Sequence, residues 1–334
     1  MADGFYSNIP TRTVQLILSD EEKLSLEQAI LDGLARIGTD RKIDAILDLV
    51  CTEMSEAFRD CLSSGHRAAI QDFRRNKDAL ALHISNTPRL AEEDIPPTPY
   101  RRPDAATERA MLRSDAKVLG LIGLAGFTPF ASPSENQGYA FRNVLAAAGK
   151  EESQSSHGSA EFGLHMDNPS AELSSEAPAC MQVPRILAFD CIRNFENIPT
   201  ELERTISVLN EIKHGAFKYL AHRAFAIEPP QSNEVSIYAP SRRPTPLLEE
   251  DDEGNLVLRY DPTSVSLHDP DPRYQKTLAN LQAVLAKTVP SSQITLQPGH
   301  FLMFKNRQVL HMRRAFNPLE DRDQSRWLRR LYAV

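Results

Sequence analysis

Residues 300–311 run His300-Phe301-Leu302-Met303-Phe304-Lys305-Asn306-Arg307-Gln308-Val309-Leu310-His311, two short apolar runs separated by a polar turn. Apolar runs of this length, bounded by Asn, Gly or Pro, are typical of strands in a β-sandwich or jelly roll. The same texture recurs from about residue 137 onwards. The further short runs occupy residues 161–165, 185–191, 256–260, 293–296 and 327–333. We therefore expect a mainly β core in residues 135–334.

The N-terminal part of the chain has a helical pattern instead. Apolar residues recur at mostly helical spacings in residues 19–73, and a further helix is predicted at residues 105–121. The Pro-rich residues 80–103 between them are predicted to be an extended connection. Together these predictions give a mainly helical N-terminal layer at residues 19–121. Two helical insertions are predicted within the β region, at residues 200–220 and 271–288. The length fits one domain, residues 1–334, because β cores with added helices often reach this size. The predicted fold class is therefore α+β with a mainly β core.

Composition limits the classes of partner. The net charge of -7 argues against general binding of nucleic acid, which needs concentrated Lys and Arg. The apolar runs are too short to cross a bilayer, and the first residues lack the features of a secretory signal. The four cysteines form no CxxC pair, which favours a reduced, cytoplasmic protein. We expect a small-molecule substrate, no nucleic acid and no membrane as partners, and we leave a homo-oligomer open.

A candidate metal site begins at the end of the predicted strand in Phe162-Gly163-Leu164-His165-Met166-Asp167-Asn168. Positions i and i+2 of a strand point to the same face, so His165 and Asp167 can reach one ion together. His311 is the third candidate, at the end of the stretch quoted first. Two His and one carboxylate on one face of an octahedral ion leave three positions open, an arrangement diagnostic of Fe(II) oxygenases.

Other residues bear on this interpretation. His157 and His300 are alternatives for the distal histidine, although one lies in a predicted loop and the other in a turn. The open positions suit a 2-oxo acid, which chelates through two atoms, and O2. The second carboxylate of 2-oxoglutarate needs a partner, and the planar guanidinium of Arg326 provides two parallel donors. Residues 326–331 are predicted to be a strand, on which Arg330 faces the same way as Arg326 and is then available for a carboxylate of the substrate.

Four motifs are shared with one known family. They are Glu135-Asn136-Gln137-Gly138, Gly158-Ser159-Ala160-Glu161-Phe162-Gly163-Leu164-His165-Met166-Asp167, Asn306-Arg307-Gln308-Val309-Leu310-His311 and Arg326-Trp327-Leu328. Through them residues 120–333 resemble the clavaminate synthase-like branch of the taurine dioxygenase superfamily, especially the hydroxylases of free arginine and lysine. The resemblance implies a double-stranded β-helix (jelly roll) with helices packed outside it.

The resemblance also implies roles for individual residues. His165, Asp167 and His311 would hold Fe(II), with 2-oxoglutarate and O2 as co-substrates. Arg326 would pair with 2-oxoglutarate, and Thr200 would hydrogen-bond to it. The substrate positions implied by the family are Arg330 for the α-carboxylate, Asn136 or Gln137 near the amino group, Ser156 or Ser159 as hydrogen-bond partners, and Asp251 and Asp252 for a cationic side chain.

Three features depart from the family pattern. Many relatives have Thr and Glu in place of Met166 and Asp167, and Gly in place of Met312. The spacing from His311 to Arg326 is also slightly longer than in the family. Aspartate is still a proper metal ligand, so the metal site survives the first change. Met312, beside the distal histidine, bears on the shape of the substrate pocket.

These observations predict a 2-oxoglutarate-dependent dioxygenase that hydroxylates an unactivated C–H bond of a free basic amino acid or a derivative. The products besides the hydroxylated substrate would be succinate and CO2. Desaturation stays open, because it depends on the placement of the substrate. A lid is predicted at about residues 215–245, since an oxidising site must exclude water. The alternatives are a zinc-dependent hydrolase with the same ligands and a non-catalytic scaffold protein.

Overall fold

The computed structural model describes residues 12–38, 43–99, 105–133, 135–212, 214–229 and 244–334. The helices of these ranges are α1 (Asp20–Ile37), α2 (Leu47–Cys61), α3 (Ser64–Asp72), α4 (Ala105–Ala110), α5 (Leu112–Leu124), α6 (Thr205–Glu211), α7 (His214–Leu220) and α8 (Pro272–Lys287). The first strands are β1 (Thr13–Ile17), β2 (Ala81–Ser85), β3 (Pro129–Phe130), β4 (Arg142–Leu145), β5 (Phe162–His165), β6 (Ile186–Arg193), β7 (Thr200–Arg204) and β8 (Phe225–Ile227). The later strands are β9 (Leu248–Glu250), β10 (Leu256–Leu258), β11 (Val265–Leu267), β12 (Ser292–Ile294), β13 (Phe301–Lys305), β14 (Val309–Arg313) and β15 (Trp327–Ala333).

Two sheets form the centre of this mixed α+β fold, which confirms the predicted fold class. The larger sheet has the strand order β1-β2-β13-β6-β15-β3, with β4 also paired to β15, and the smaller has the order β12-β7-β14-β5. Their facing sides share an apolar cluster, which includes Phe189 and Phe304 from the larger sheet and Leu202 and Val309 from the smaller. Burial of these side chains holds the strands of both sheets in place. Within the described ranges, no helix has the length and apolar character needed to span a membrane.

The N-terminal helices cover the other side of the larger sheet. α1 begins at a capping box, in which Ser19 Oγ accepts from the Glu22 amide and the Glu22 carboxylate accepts from the Ser19 amide. α5 approaches α2 closely at Gly123. A Cβ atom at this position would lie 2.8 Å from Cys51 Sγ and 2.9 Å from Ser55 Cβ. Only glycine fits here without displacing α2.

β15 presents alternate residues to the two sides of its sheet. Arg329 points to the helices, where it donates to Asp115 of α5 at 3.0 and 2.6 Å and to Glu108 of α4 at 2.9 and 3.1 Å. Its side chain is fully buried, and the two carboxylates compensate the loss of hydration of the guanidinium. Arg330 points to the opposite side, towards the smaller sheet. The alternation agrees with the strand predicted for residues 327–333.

Some elements differ from the sequence-based predictions. Residues 200–204, predicted to be helical, form β7, which pairs with β12 and β14. Here the neighbouring strands offer backbone partners, a tertiary effect that outweighs local propensity. β1 precedes the predicted helical layer, and β2 lies in the connection at residues 80–103, which was predicted to be extended; both strands extend the larger sheet. The insertion predicted at residues 271–288 is α8. Most of the predicted lid, residues 230–243, lies outside the described residues.

Candidate functional site

His165, Asp167 and His311 converge on the smaller sheet. His165 ends β5 and His311 lies in β14, and the two histidines are direct register partners of antiparallel strands. Asp167 Oδ1 lies 3.5 Å from His165 Nε2 and 3.6 Å from His311 Nε2. One potential ligand atom from each residue lies within 4.8 Å of the others. Strand pairing thus brings together side chains that are far apart in the sequence.

Local contacts fix the orientation of the first two residues. His165 Nδ1 donates to Gly163 O at 2.8 Å, which leaves the lone pair of Nε2 facing Asp167. The Phe162 ring stacks on His165 with centroids 3.7 Å apart. Asn306 accepts from the Asp167 amide at 3.0 Å and donates to the Asp167 carbonyl at 3.1 Å. These supporting contacts preorganise the pair, as is typical around metal ligands.

The protonation states of the cluster suit a cation. Burial, reinforced by the charge effect of His165, lowers the pKa of His311 to about 3, so this imidazole is neutral at pH 7. Burial alone would raise the pKa of Asp167, but the charge of Arg330 holds it well below the usual range. The three residues therefore present lone pairs and one negative charge to a common point, a donor set that fits a divalent first-row metal ion.

The second oxygen of Asp167 is held from the other side. Arg330 Nη1 donates to Asp167 Oδ2 at 2.9 Å, and the Tyr332 hydroxyl donates to the same atom at 3.1 Å. Arg330 also pairs with Glu135, which accepts from Arg142 Nη1 at 2.7 Å. Burial raises the pKa of Tyr332 well above its usual value, although the charge of Arg330 acts in the opposite direction. The hydroxyl therefore keeps its proton and stays a donor.

Arg326 is a buried cation that forms no ion pair with a carboxylate of the described residues. Its side chain is 4% exposed, and among the described residues Nε has no hydrogen-bond partner. Burial lowers its pKa to about 10, although Cys191 and Glu196 act in the opposite direction. Glu196 Oε1 accepts from the backbone amide of Arg326 at 3.1 Å rather than from its guanidinium. Thr200, at the start of β7, lines the same cavity as Arg326. A buried guanidinium in this state has capacity for an anionic ligand.

These groups face one cavity of about 580 Å³, a volume in the usual range for small-molecule sites. One wall is the polar loop of residues 149–157, in which Ser156 Oγ accepts from Arg142 Nε at 2.9 Å. Asp261 and Thr263 also line the cavity, and the Thr263 hydroxyl donates to Asp261 Oδ1 at 2.6 Å. Ser156 therefore lines the cavity, and its contact with a substrate stays a prediction.

Other predicted substrate residues do not line the cavity. The Asn136 side chain donates to the carbonyls of Tyr139 at 3.0 Å and Phe141 at 2.9 Å, so it stabilises its own turn. Ser159 Oγ donates to the Glu151 carbonyl at 3.4 Å. The Gln137 side chain lies outside the described residues.

The two predicted acidic residues also serve local contacts. Asp251 Oδ1 accepts from the Asn255 amide at 2.9 Å, which closes the turn between β9 and β10. Asp252 accepts from Arg185 Nη2 at 2.7 and 2.6 Å. Asn255 and Arg185 therefore use these charges, and neither Asp251 nor Asp252 lines the cavity of the metal cluster.

Sequence reasoning missed several cavity residues. Tyr332 lies two residues after Arg330 on the same face of β15, so the strand alternation that singled out Arg330 also points to it. Glu135 lies in a motif that was recognised, but its amide neighbours were preferred. Asp261 directly follows a predicted strand and carried no other signal.

Comparisons with known proteins bear on the family. Residues 187–332 match the family described as taurine catabolism dioxygenase TauD, TfdA family. This match confirms the predicted resemblance to the taurine dioxygenase superfamily. No curated protein matches the chain at a significant level.

Solved structures share the fold over nearly the whole chain. An asparagine oxygenase in complex with Fe(II), 2S,3S-3-hydroxyasparagine and succinate has a TM-score of 0.73 and 20% identity, covering 95% of this chain and 92% of that one. The non-heme iron oxygenase OrfP in complex with Fe and alpha-ketoglutaric acid has a TM-score of 0.75 and 17% identity, covering 95% and 93%. OrfP with Fe, succinate and (3S)-hydroxy-L-Arg has a TM-score of 0.74 and 17% identity, covering 96% and 93%. At these identities the likeness establishes the fold.

Proposed function

We propose that this protein is an Fe(II)- and 2-oxoglutarate-dependent oxygenase that hydroxylates a small substrate. The observation that carries the proposal is a single cavity lined by His165, Asp167 and His311 together with Arg326. Two imidazoles and a carboxylate suit a first-row ion with open coordination positions. A buried arginine that has no carboxylate partner in the part of the chain that the structure describes suits a ligand that brings its own carboxylate.

Each residue has a defined task in this proposal. His165, Asp167 and His311 would hold Fe(II), and Arg326 would bind the distal carboxylate of 2-oxoglutarate, with Thr200 as a hydrogen-bond partner. When bound, the metal and its co-substrates supply the oxidising chemistry that hydroxylates a C–H bond, with succinate and CO2 as products. The Phe162 ring, stacked on His165, shields one side of the cluster from water.

A free amino acid or a derivative is the proposed substrate class. The structural neighbours include an asparagine oxygenase and OrfP in complex with L-Arg. A guanidinium has five N–H groups, so Arg330 retains donors for a substrate carboxylate beside its bonds to Asp167 and Glu135. Asp261, in the cavity wall, is the proposed partner of a cationic substrate group in place of Asp251 and Asp252.

The proposal also includes the topology of the core, the domain organisation and the cellular location of the protein. The two facing sheets support a double-stranded β-helix within a single domain, residues 1–334, that comprises the helical layer at 19–121 and the core at 135–334. A cytoplasmic location is supported by the absence of disulfides among the four cysteines, all of which lie in the described ranges. A homo-oligomer and a lid at residues 215–245 stay predictions.

The alternatives explain less of the cavity. A zinc-dependent hydrolase would use the same three ligands but would leave the buried, unpaired Arg326 without a function. A non-catalytic scaffold would have no need for either feature.

The decisive test is turnover of the metal-loaded protein with free amino acids. Purified protein is loaded anaerobically with Fe(II) and 2-oxoglutarate, and the charge-transfer absorption band is recorded while single amino acids are added. Air is then admitted, and succinate and a substrate mass gain of one oxygen are measured. We expect succinate formation that depends on Fe(II) and is lost in His311→Ala. Hydrolysis supported by Zn²⁺ without 2-oxoglutarate, or wild-type biological function retained by His165→Ala, would overturn the proposal.

A further inference from the structure

The Tyr332 hydroxyl is a donor placed behind the candidate metal carboxylate. We propose that Tyr332 is a positioning residue that fixes Asp167 so that only Oδ1 faces the two imidazoles. This inference rests on the metal ligands of the proposed function. It concerns a residue that neither the sequence motifs nor the comparisons single out.

The geometry divides the two carboxylate oxygens of Asp167 between different partners. Oδ1 lies 3.5 and 3.6 Å from the Nε2 atoms of His165 and His311. Oδ2 accepts from the Tyr332 hydroxyl at 3.1 Å and from Arg330 at 2.9 Å. A carboxylate whose second oxygen holds two hydrogen bonds binds a metal through one oxygen. Three protein ligand atoms then leave three octahedral positions open, whereas a bidentate carboxylate would leave two.

The fold dictates the position of the hydroxyl. Tyr332 is 4% exposed, and its ring stacks on Phe130 with centroids 5.9 Å apart and planes 29° apart. The Arg330 guanidinium carbon also contacts the Tyr332 ring and lies 4.2 Å from its centroid. On β15 the backbone of Tyr332 is paired with Leu187 of β6 and with Phe130 of β3. A ring held in this way cannot follow small movements of Asp167, so it sets the position of the carboxylate.

Tyr332 also differs in character from the other donor to Oδ2. Arg330 has a second carboxylate partner, Glu135, and is the proposed receptor of the substrate carboxylate. Its bond to Asp167 is therefore exposed to competition when a substrate binds. The tyrosine hydroxyl has no such second partner among the described residues. Because it is neutral, it fixes Asp167 without compensating the negative charge that a cation needs.

The test is a metal titration that does not depend on turnover. Co(II) binding to the full-length protein is followed by its visible absorption under anaerobic conditions in wild type, Tyr332→Phe and the control Tyr260→Phe. Tyr260 is also a buried tyrosine, 4% exposed, but its hydroxyl bonds to Gln282 outside the cavity walls. We expect Tyr332→Phe to raise the Kd for Co(II) by about 10-fold, a typical effect of losing a ligand-supporting hydrogen bond, and to change the Co(II) spectrum. Tyr260→Phe should do neither.

A double-mutant cycle with Asp167→Ala separates positioning from a general structural effect. If Tyr332 acts through Asp167, adding Tyr332→Phe to Asp167→Ala leaves the Co(II) affinity unchanged. Equal Kd values and spectra for wild type and Tyr332→Phe would overturn the inference. Should Tyr332→Phe not fold, Phe130→Leu takes its place, because it loosens the contact that holds the Tyr332 ring. This variant must then raise the Kd for Co(II) above the wild-type value. Wild type that binds Co(II) but forms no succinate refutes the proposed oxygenase and leaves this inference intact.

Discussion

Replacing Arg326 with Met should stabilise the ligand-free protein, because the guanidinium is buried and its Nε has no hydrogen-bond partner among the described residues. Burial lowers its pKa from 12.5 to about 10, so the folded state disfavours the charged form by roughly 3 kcal/mol at 1.36 kcal/mol per pKa unit. An unsatisfied buried donor costs about 1–3 kcal/mol by mutational measurements. Met removes the charge and keeps most of the apolar stem. We therefore expect the free energy of unfolding to rise by about 1–3 kcal/mol in Arg326→Met.

The Arg326→Met variant should be stabilised much less by 2-oxoglutarate than wild type is. Wild type in about 100-fold excess of ligand over Kd gains about 2.7 kcal/mol of stability by mass action. Removing one member of a buried charge pair costs about 2–5 kcal/mol of binding, which raises Kd by roughly 30-fold or more. At the same ligand concentration Arg326→Met should gain less than about 1 kcal/mol.

Urea unfolding with and without Co(II) and 2-oxoglutarate, in the absence of O2, measures both effects. Arg193→Met is the matched control, because Arg193 is 2% exposed but donates to Glu92 and to the carbonyls of Ile95, Pro96 and Asp323. It should lose at least about 2 kcal/mol, since its partners are left unpaired. An Arg326→Met protein that is less stable than wild type, yet keeps the full stabilisation by 2-oxoglutarate, would refute the reasoning.

Three further outcomes are expected. Asp261→Asn should raise the KM for a substrate with a cationic side chain at least about 10-fold, with unchanged Co(II) affinity; an unaltered KM would remove Asp261 from the substrate site. Gly123→Ala should lower the free energy of unfolding by about 1–3 kcal/mol in urea, because the methyl group meets Cys51 and Ser55, and a neutral effect would contradict the close helix contact. The pKa of Glu22 is about 2 instead of 4.5: burial raises it, but hydrogen bonds from Ser19, Ser63 and His66 outweigh burial. The Glu22 carboxylate therefore stabilises the fold above about pH 4.5, and this stabilisation is lost as the pH falls towards 2. Glu22→Gln should lower the free energy of unfolding by roughly 2 kcal/mol at pH 7 and by little near pH 2, as measured by urea unfolding at several pH values.

The sequence predicts the direction of a side chain where the alternation of a strand or the spacing of a helix determines it. His165 and Asp167 share a face because they alternate along an extended segment, and the same rule separates Arg330 from Arg329 on β15. Helical spacing likewise located α8. These inferences needed no knowledge of which strands are neighbours.

The other features depend on contacts with distant parts of the chain, which the local sequence does not specify. Asp251 and Asp252 formed an acidic run suited to a cationic substrate, but their charges are used by Asn255 and Arg185. Residues 200–204 became a strand because β12 and β14 flank them. Such outcomes follow from tertiary pairing, which local propensity cannot report.

The alternation along β15 restricts where the chain can change in length. One residue inserted directly before Arg329 would turn Arg330 towards the helices and remove Arg329 from its two carboxylates. Residues 314–321, at the start of the connection between β14 and β15, lie outside the strands, and lengthening a connection costs little chain entropy. The extra spacing between His311 and Arg326 relative to the family falls in this connection. We therefore expect an insertion at residues 314–321 to leave the cavity intact, whereas an insertion within β15 should disrupt it.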